Sequence, residues 1–255
     1  MEKKLPILVI IVPCYNEEEA LPEAAKRLSQ KISQLVSAKL ISPASAILFV
    51  DDGSNDNTWP LIESYHVQNP LMYGGIKLSK NSGGQNALLC GLLFVKEYAD
   101  ISVTIDADLQ DDVDAIEKMI EVYLSGSQIV LGVRFNRGND SFFKRTSARF
   151  FYCIMRLFRA GLVENHSDFR LMGRQAVKAL AEYGEADLFL RGAVLKLGFE
   201  PGLVHYEIKD RLAGKSKYTL QKMLGIASLA FAGIISSKKK HPEFHIERSL
   251  FRTGK

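Results

Sequence analysis

The chain has 255 residues, 47% hydrophobic and 24% charged, a balance that excludes disordered, collagen-like and disulfide-scaffold classes. It suits one domain, with at most a small appendage, around a substantial core. Net charge is +4, and three scattered cysteines (Cys14, Cys90, Cys153) show neither metal spacing nor a CxxC pair, which fits a reduced protein facing the cytosol.

From the N-terminus, Leu5 to Val12 is a short apolar run without a small-residue cleavage site, so it reads as a core strand rather than a signal peptide. Strands are expected at Ile7–Val12, Ala46–Asp51, Gly75–Leu78, Ile101–Asp106 and Ile129–Gly132, alternating with helical patterns at 17–37, 57–67, 83–98 and 112–124. That rhythm predicts an α/β fold built on a parallel, doubly wound sheet covered on both faces. The second half is more helical, with patterns at 142–160, 173–183, 187–197 and 216–236 and one strand at Leu203–Ile208. No apolar run reaches the roughly 18–20 residues a bilayer span needs; the longest, Met223 to Ile235, is too short.

In such sheets ligands bind beyond the carboxyl ends of the strands. Three of the loops there are polar and mostly acidic: Pro13-Cys14-Tyr15-Asn16-Glu17-Glu18, Asp51-Asp52-Gly53-Ser54 and Asp106-Ala107-Asp108-Leu109-Gln110-Asp111-Asp112. Asp106 and Asp108, two positions apart on a turn leaving an apolar strand, can place hard oxygens around one divalent ion and the diphosphate it neutralises. Asp111 and Asp112 are expected to favour the dipole of the following helix. An EF-hand is excluded, because Asp111 stands where its turn requires Gly and a strand precedes in place of a helix. Asp51-Asp52 suits a base imide or ribose hydroxyl as well as it suits a tight turn. Asn81-Ser82-Gly83-Gly84-Gln85 reads as a helix cap that lets backbone approach a ligand. Neither a P-loop nor a GxGxxG fingerprint occurs. Asp168-Phe169-Arg170-Leu171 lies between helical patterns; on its own His166 is a loop histidine, and Asp168 and Arg170 an ion pair.

Positive charge is segregated. Residues 1–210 carry 23 basic and 27 acidic side chains, whereas 211–255 carry 10 and 2. A second cluster at 134–159 holds Arg134, Arg137, Lys144, Arg145, Arg149, Arg156 and Arg159 against Asp140 alone. This predicts an anionic partner, a membrane surface or nucleic acid, and no DNA- or RNA-binding motif supports the latter. Arg211 to Tyr218, with Gly214 and Ser216, reads either as a phosphate-holding loop or as a solvated basic one. The apolar helix pattern behind it, ending at Lys238-Lys239-Lys240, suits a bilayer interface or a buried core.

Together VPCYNEE (12–18), DDGS (51–54), NSGGQNALLCG (81–91), DADLQDD (106–112), DFRLM (168–172) and RLAGKSKY (211–218) resemble the family 2 glycosyltransferases of GT-A fold. The nearest group is the polyprenyl-phosphate glycosyltransferases, which include dolichol-phosphate mannose synthases and bactoprenol glucosyltransferases, and the resemblance runs over about residues 6–237. It implies a Rossmann-like, mostly parallel sheet flanked by helices over 1–210, an acceptor-phosphate loop and interfacial amphipathic helix over 211–240, and a polar tail over 241–255.

By the same resemblance, Pro13, Tyr15, Asn16, Glu17, Asp51, Asp52, Gly84, Asp106, Ala107 and Asp108 hold the nucleotide sugar, and Asp106, Asp108 and Gln110 bind Mg2+ or Mn2+. Arg134, Lys144, Arg145, Arg211, Ser216 and Lys217 surround the acceptor phosphate. Asp106, Asp108, Asp168 and Arg211 form the catalytic set, with Asp168 positioning rather than abstracting a proton. A phosphate monoester acceptor is already anionic and needs orientation more than deprotonation. The expected activity is metal-dependent, inverting transfer of a hexose from a UDP- or GDP-sugar, UDP-glucose favoured, to a polyprenyl phosphate in cell-envelope biosynthesis. Many bacterial members continue into two transmembrane helices where this chain has its lysines and polar tail, so peripheral attachment at the cytoplasmic membrane face is expected. One rival is a soluble family 2 transferase acting on a glycan or protein, which would not need Arg211 to Tyr218. The other is a catalytically silent lipid-binding module, which leaves the carboxylate loops unexplained.

Overall fold

Residues Leu8–Cys14 form β1, and every one except Pro13 is buried, as a strand covered on both faces requires. The computed structural model describes residues 4–135, 166–183, 190–208 and 244–251. After β1 come α1 (Leu21–Ser37), β2 (Ala46–Asp51), α2 (Thr58–Gln68), β3 (Tyr73–Leu78), α3 (Gly84–Val95), β4 (Ile101–Thr104) and α4 (Ala115–Leu124). Then follow β5 (Ile129–Phe135), β6 (His166–Gly173), α5 (Arg174–Tyr183), α6 (Leu190–Leu195), β7 (Gly202–Glu207) and β8 (Ile246–Leu250).

The strands make one eight-stranded sheet in the order β7-β5-β6-β4-β1-β2-β3-β8. β1 pairs in parallel with β2 and β4, β2 with β3, and β5 with β7. β6 is antiparallel to both β4 and β5, and β8 is antiparallel to β3. The expected mostly parallel α/β sheet is present.

Successive β1 side chains serve opposite layers. Leu8, Ile10 and Val12 pack with Leu28 of α1, Ile62 of α2 and Ile116 of α4, whereas Val9 and Ile11 pack with Leu88 of α3 and Leu180 of α5. α1 buries Leu21, Ala24, Ala25, Leu28, Ile32 and Leu35, the three- and four-residue spacing of one helix face. A proline in its first turn needs no N–H there. Each fully buried Leu or Ile in these layers contributes about 1.5–3 kcal/mol.

Two strands depart from expectation. His166–Gly173, which reads as a loop between helices, is β6 in the middle of the sheet. Asp168 and Arg170 lie two apart, on one face of the strand, and neutralise each other at 2.6 Å; a buried ion pair hides the strand from any polarity pattern. Ile246–Leu250, which reads as polar tail, is β8. It is held by Lys77–Glu247 and Arg248–Glu63 ion pairs and by Phe251, whose ring packs edge-on against Phe94 and Tyr98. The helices expected at 142–160 and 216–236 lie outside the described residues, as does all of the 211–240 segment. Among the described residues, no helix is long and apolar enough to cross a membrane.

Candidate active site

β1, β2, β3, β4, β5 and β7 run the same way, and β6 starts at their carboxyl edge. The loops after β1, β2 and β4 therefore meet the first residues of β6 and the last of β5 and β7. Two of these loops are laced into one unit. Asn16 has φ 51°, a left-handed conformation Asn tolerates. Its N–H donates to Ser54 Oγ at 2.9 Å while its Oδ1 accepts from the Asn55 N–H at 2.8 Å. The Glu17 N–H donates to Thr58 Oγ1 at 2.8 Å, and Glu18 Oε2 accepts from the Asn57 N–H at 3.0 Å. Pro13, Tyr15 and Glu17 remain partly exposed along this seam.

Gly53 has φ 70°, and a Cβ there would lie 2.7 Å from the Lys80 carbonyl carbon and 2.8 Å from Asn81 N. Only glycine brings the turn after β2 that close to the loop after β3. Beside it, Asp51 is fully buried; Oδ1 accepts from the Ser54 N–H at 3.1 Å, but Oδ2 has no partner among the described residues. Burial pushes the Asp51 carboxyl above its ordinary value, against the hydrogen bonds from Ser54. Asp52 has a different occupation. Its Oδ1 accepts from the Ser82 N–H at 2.7 Å and the Ser82 hydroxyl at 2.8 Å, and its Oδ2 from the Gly83 N–H at 2.8 Å. It clamps the turn that opens α3 at Gly84, where an added Cβ would meet nothing within 4 Å.

β4 releases the chain at Ile105, whose N–H still donates to the Ile11 carbonyl at 3.1 Å. Ala107 and Leu109 then turn inward at 3% and 1% exposure, leaving Asp106, Asp108 and Gln110 partly exposed. Leu109 takes φ 46°, and Asp108 Oδ1 accepts from the Gln110 N–H at 3.2 Å. The Asp106 carboxyl is pushed up to about 7 by desolvation first, then by Asp111, Asp168 and Asp108, with Arg134 opposing. A divalent cation would relieve that crowding, and hard carboxylate oxygens fit Mg2+ or Mn2+. No three His, Cys, Asp or Glu side chains form a metal cage among the described residues. Asp106 and Asp108 would thus supply only part of a coordination sphere, with the rest left to a ligand.

At the start of β6, Asp168 sits among four groups. It accepts from Arg170 Nη2 at 2.6 Å, from Arg191 Nε and Nη2 at 3.0 and 2.8 Å, and from Gln85 Nε2 at 2.7 Å. Burial acts to raise its carboxyl, but Arg191, then Arg170 and Gln85, hold it well below the usual carboxylate range. A carboxylate so held is an anchor and a poor proton acceptor. Gln85 Oε1, at the other end of that amide, is buried without a partner among the described residues.

Asp111 departs from expectation most. It is 2% exposed and precedes α4 by several residues, so it does not serve the helix dipole. Its Oδ1 instead accepts from Arg134 Nε at 3.2 Å and Nη2 at 3.0 Å, and from the Tyr206 hydroxyl. Arg134, an expected phosphate ligand, thus stands at the end of β5 beside the acidic loop. Burial works against its charge, and Asp111 and Tyr206 more than offset that, so its pKa is raised. Lys144, Arg145, Arg211, Ser216 and Lys217 lie outside the described residues.

Arg191 and Tyr206 escape a reading by motif, and Gln85, though within the Asn81–Gln85 stretch, shows no sign there of its bond to Asp168. The partners of Gln85, Arg191 and Tyr206 are 83, 23 and 95 residues away in sequence, and nothing local marks the pairings. For Tyr206 alone, a tyrosine at an inward position of an alternating strand was a signal, since a buried hydroxyl needs a partner.

Comparison with known proteins agrees with this arrangement. Residues 9–190 match the sequence profile of glycosyl transferase family 2. The uncharacterized glycosyltransferase YkoT of Bacillus subtilis (strain 168) is 47% identical over 236 residues, 92% of this chain and 69% of that protein. The bactoprenol glucosyl transferase of Shigella phage SfX is 33% identical over 228 residues, 89% of this chain and 71% of that protein. Among solved structures, glucosyl-3-phosphoglycerate synthase from Mycobacterium tuberculosis, in complex with Mn2+, UDP-glucose and phosphoglyceric acid, superposes with a TM-score of 0.58 at 16% identity. That match covers 90% of this chain and 79% of that one, and at this identity it speaks for the GT-A fold alone.

Proposed function

The chain belongs to glycosyl transferase family 2, and from that premise we propose that it moves a hexose from a nucleotide sugar, UDP-glucose favoured, to a polyprenyl phosphate. The observation that carries the donor half is the pairing of two strand ends. Asp51 Oδ2 is a buried acceptor without a partner among the described residues, and Asp106 and Asp108 offer crowded carboxylates two strands away, across β1. Two inter-strand spacings put about 10 Å between these ends, room for a nucleoside on Asp51 and its diphosphate at Asp106 and Asp108. Asp51 Oδ2 would accept from a base imide or a ribose hydroxyl. Tyr15 and Glu17, with Pro13 and Asn16, would border the base, and Asp52 would act through the Ser82–Gly83 turn.

A divalent cation held by Asp106 and Asp108, with Gln110 alongside, would stabilise the charge that grows on the departing nucleoside diphosphate. The acceptor phosphate oxygen attacks the anomeric carbon from the side opposite the leaving group. The bond from that carbon to the diphosphate oxygen breaks with its electron pair, and the anomeric centre inverts. No proton needs to be removed, because the acceptor is ionised at neutral pH. This agrees with the anchored state of Asp168, whose part is to hold Arg170 and Arg191 in place.

The acceptor half rests on the bactoprenol glucosyl transferase relatives and on the basic residues at 134–159 and 211–240, which suit a lipid phosphate at the cytoplasmic face of a membrane, peripherally engaged. The test is transfer of labelled sugar from a panel of nucleotide sugars to undecaprenyl phosphate in membranes with Mn2+, read in the organic phase. UDP-glucose should give label that Asp108→Ala abolishes. Label that persists in Asp108→Ala removes the metal assignment, and a product retaining donor stereochemistry removes the single-displacement step. Transfer to a soluble glycan or protein but never to the lipid removes the acceptor.

A further inference from the structure

Tyr206 has no part in the transfer just described, yet its hydroxyl is the hub of a buried cluster. It donates to Asp111, stands 2.9 Å from Ser167 Oγ and accepts from Arg134 Nε at 3.3 Å. Its ring is fixed by an edge-on contact with Phe169 at 5.2 Å. Asp111, 1% exposed in its side chain, supplies the charge that binds Arg134, whose own side chain is 35% exposed. The result is a guanidinium held through Nε and Nη2 at the carboxyl end of β5, with its side chain still partly exposed.

We propose that Tyr206 and Asp111 are positioning residues that hold Arg134 as an anion-binding arm for one phosphate group of the substrates. The inference rests on the glycosyl-transfer reading and extends it to Tyr206, outside its motifs, and to Asp111, to which that reading gives no role. An unrestrained arginine samples many rotamers, whereas one with its inner N–H groups already bonded presents its fork in one orientation. Arg134 and Tyr206 already stand opposite each other in the β5–β7 ladder, so their contact is not needed to join those strands, and the cation paired with Asp111 still keeps a partly exposed side chain. Asp111 belongs to the loop that carries Asp106 and Asp108, so the bond from Arg134 ties the arm to that loop. The phosphate belongs either to the donor diphosphate or to the acceptor.

Calorimetry separates these sources, with UDP plus Mn2+ as one probe and a short-chain isoprenyl phosphate as the other. The proteins are wild type, Tyr206→Phe, Arg134→Lys and the double variant, each with its melting temperature. Tyr206→Phe keeps the ring and should weaken one probe by about tenfold, the size of a lost hydrogen bond to a charged group, while leaving the other within about twofold. Arg134→Lys should weaken the same probe, and the double variant should be no worse than Arg134→Lys alone, because Tyr206 acts through Arg134. Asp111→Asn is the second route should Tyr206→Phe fold poorly, and it should give the same selective loss. Equal weakening of both probes, a lowered melting temperature with neither affinity changed, or fully additive losses would overturn the inference. If wild type binds UDP with Mn2+ but not the isoprenyl phosphate, the lipid acceptor fails and the UDP arm alone decides the role of Arg134. If wild type binds neither, the transfer reading falls and the inference falls with it.

Discussion

Asp168→Asn removes one charge from a site where two arginines depend on it. Arg170 is fully buried, and apart from the 2.6 Å bond to Asp168 its guanidinium has, among the described residues, only the Asp168 and Leu190 carbonyls, each at 3.4 Å. An asparagine keeps the shape but leaves a buried cation unneutralised, a change that costs about 3–5 kcal/mol. Arg191, 33% exposed, can turn toward water and adds little. For a chain of this size the loss corresponds to a melting temperature lower by about 6–20 °C. The sign with pH follows from the depressed Asp168 pKa. Its stabilisation is complete above the ordinary carboxylate value and is lost as pH falls through the lower folded value. The gap between wild type and Asp168→Asn should therefore be widest near neutrality and narrow below about pH 4. Thermal melts across pH measure it. A variant that melts within about 2 °C of wild type while losing turnover would mean that Asp168 abstracts a proton and does not anchor the arginines.

Three further outcomes are expected. Asp108→Ala should abolish Mn2+-dependent UDP affinity and leave the melting temperature without Mn2+ unchanged or higher, since it relieves repulsion on Asp106; calorimetry and a thermal shift series check both, and retained Mn2+ dependence would refute the ligand assignment. Because Asp106 titrates at about 7, protons compete with the metal, and Mn2+–UDP affinity should fall by up to about tenfold per pH unit below that value. The same raised pKa means that the metal-free protein loses stability as pH climbs from about 4 to about 7; titrations in two buffers of different ionisation heat should detect the released proton at about pH 6, and a flat profile would contradict it. Gly53→Ala forces a side chain into a left-handed turn against backbone, so it should destabilise by about 1–3 kcal/mol and weaken UDP binding, measured by melting and calorimetry; a neutral effect would show that the turn after β2 can give way.

The parallel framework was legible because its strands are nearly pure apolar runs. Ala46–Asp51 was placed to the residue, and β1, β3, β5 and β7 to within two or three. The strands that escaped are those whose stability comes from distant pairing. β6 carries Ser167, Asp168 and Arg170 inside the sheet, and no local pattern announces a strand whose polar groups are satisfied by Gln85, Arg191 and Tyr206. β8 is a short edge strand whose reasons for being there are Glu63, Lys77, Phe94 and Tyr98, all remote in sequence. Helix starts were misjudged for a related reason. α1 and α4 begin at Leu21 and Ala115, after loops whose acidic residues resemble first-turn residues but are engaged elsewhere.

The acidic loops also show why a motif names more carboxylates than a ligand can use. Five aspartates, Asp51, Asp52, Asp106, Asp111 and Asp168, stand at one edge of the sheet, and the fold assigns them opposite environments. Asp111 and Asp168 are given arginines, and Asp52 is given the Ser82 and Gly83 donors. Each of these is spent on holding another part of the site in place. Asp51 is left with a buried oxygen that no group among the described residues meets, and Asp106 with a proton affinity raised by burial and then by its neighbours. Unmet acceptors and crowded charge are costly to maintain, and evolution of a purely structural sheet edge would remove them by substitution to Asn, Ser or Ala. Beside three carboxylates occupied by protein donors, these two suit the joint arrival of a hydrogen-bond donor and a cation that the proposed transfer requires. A nucleoside diphosphate with its divalent metal brings both.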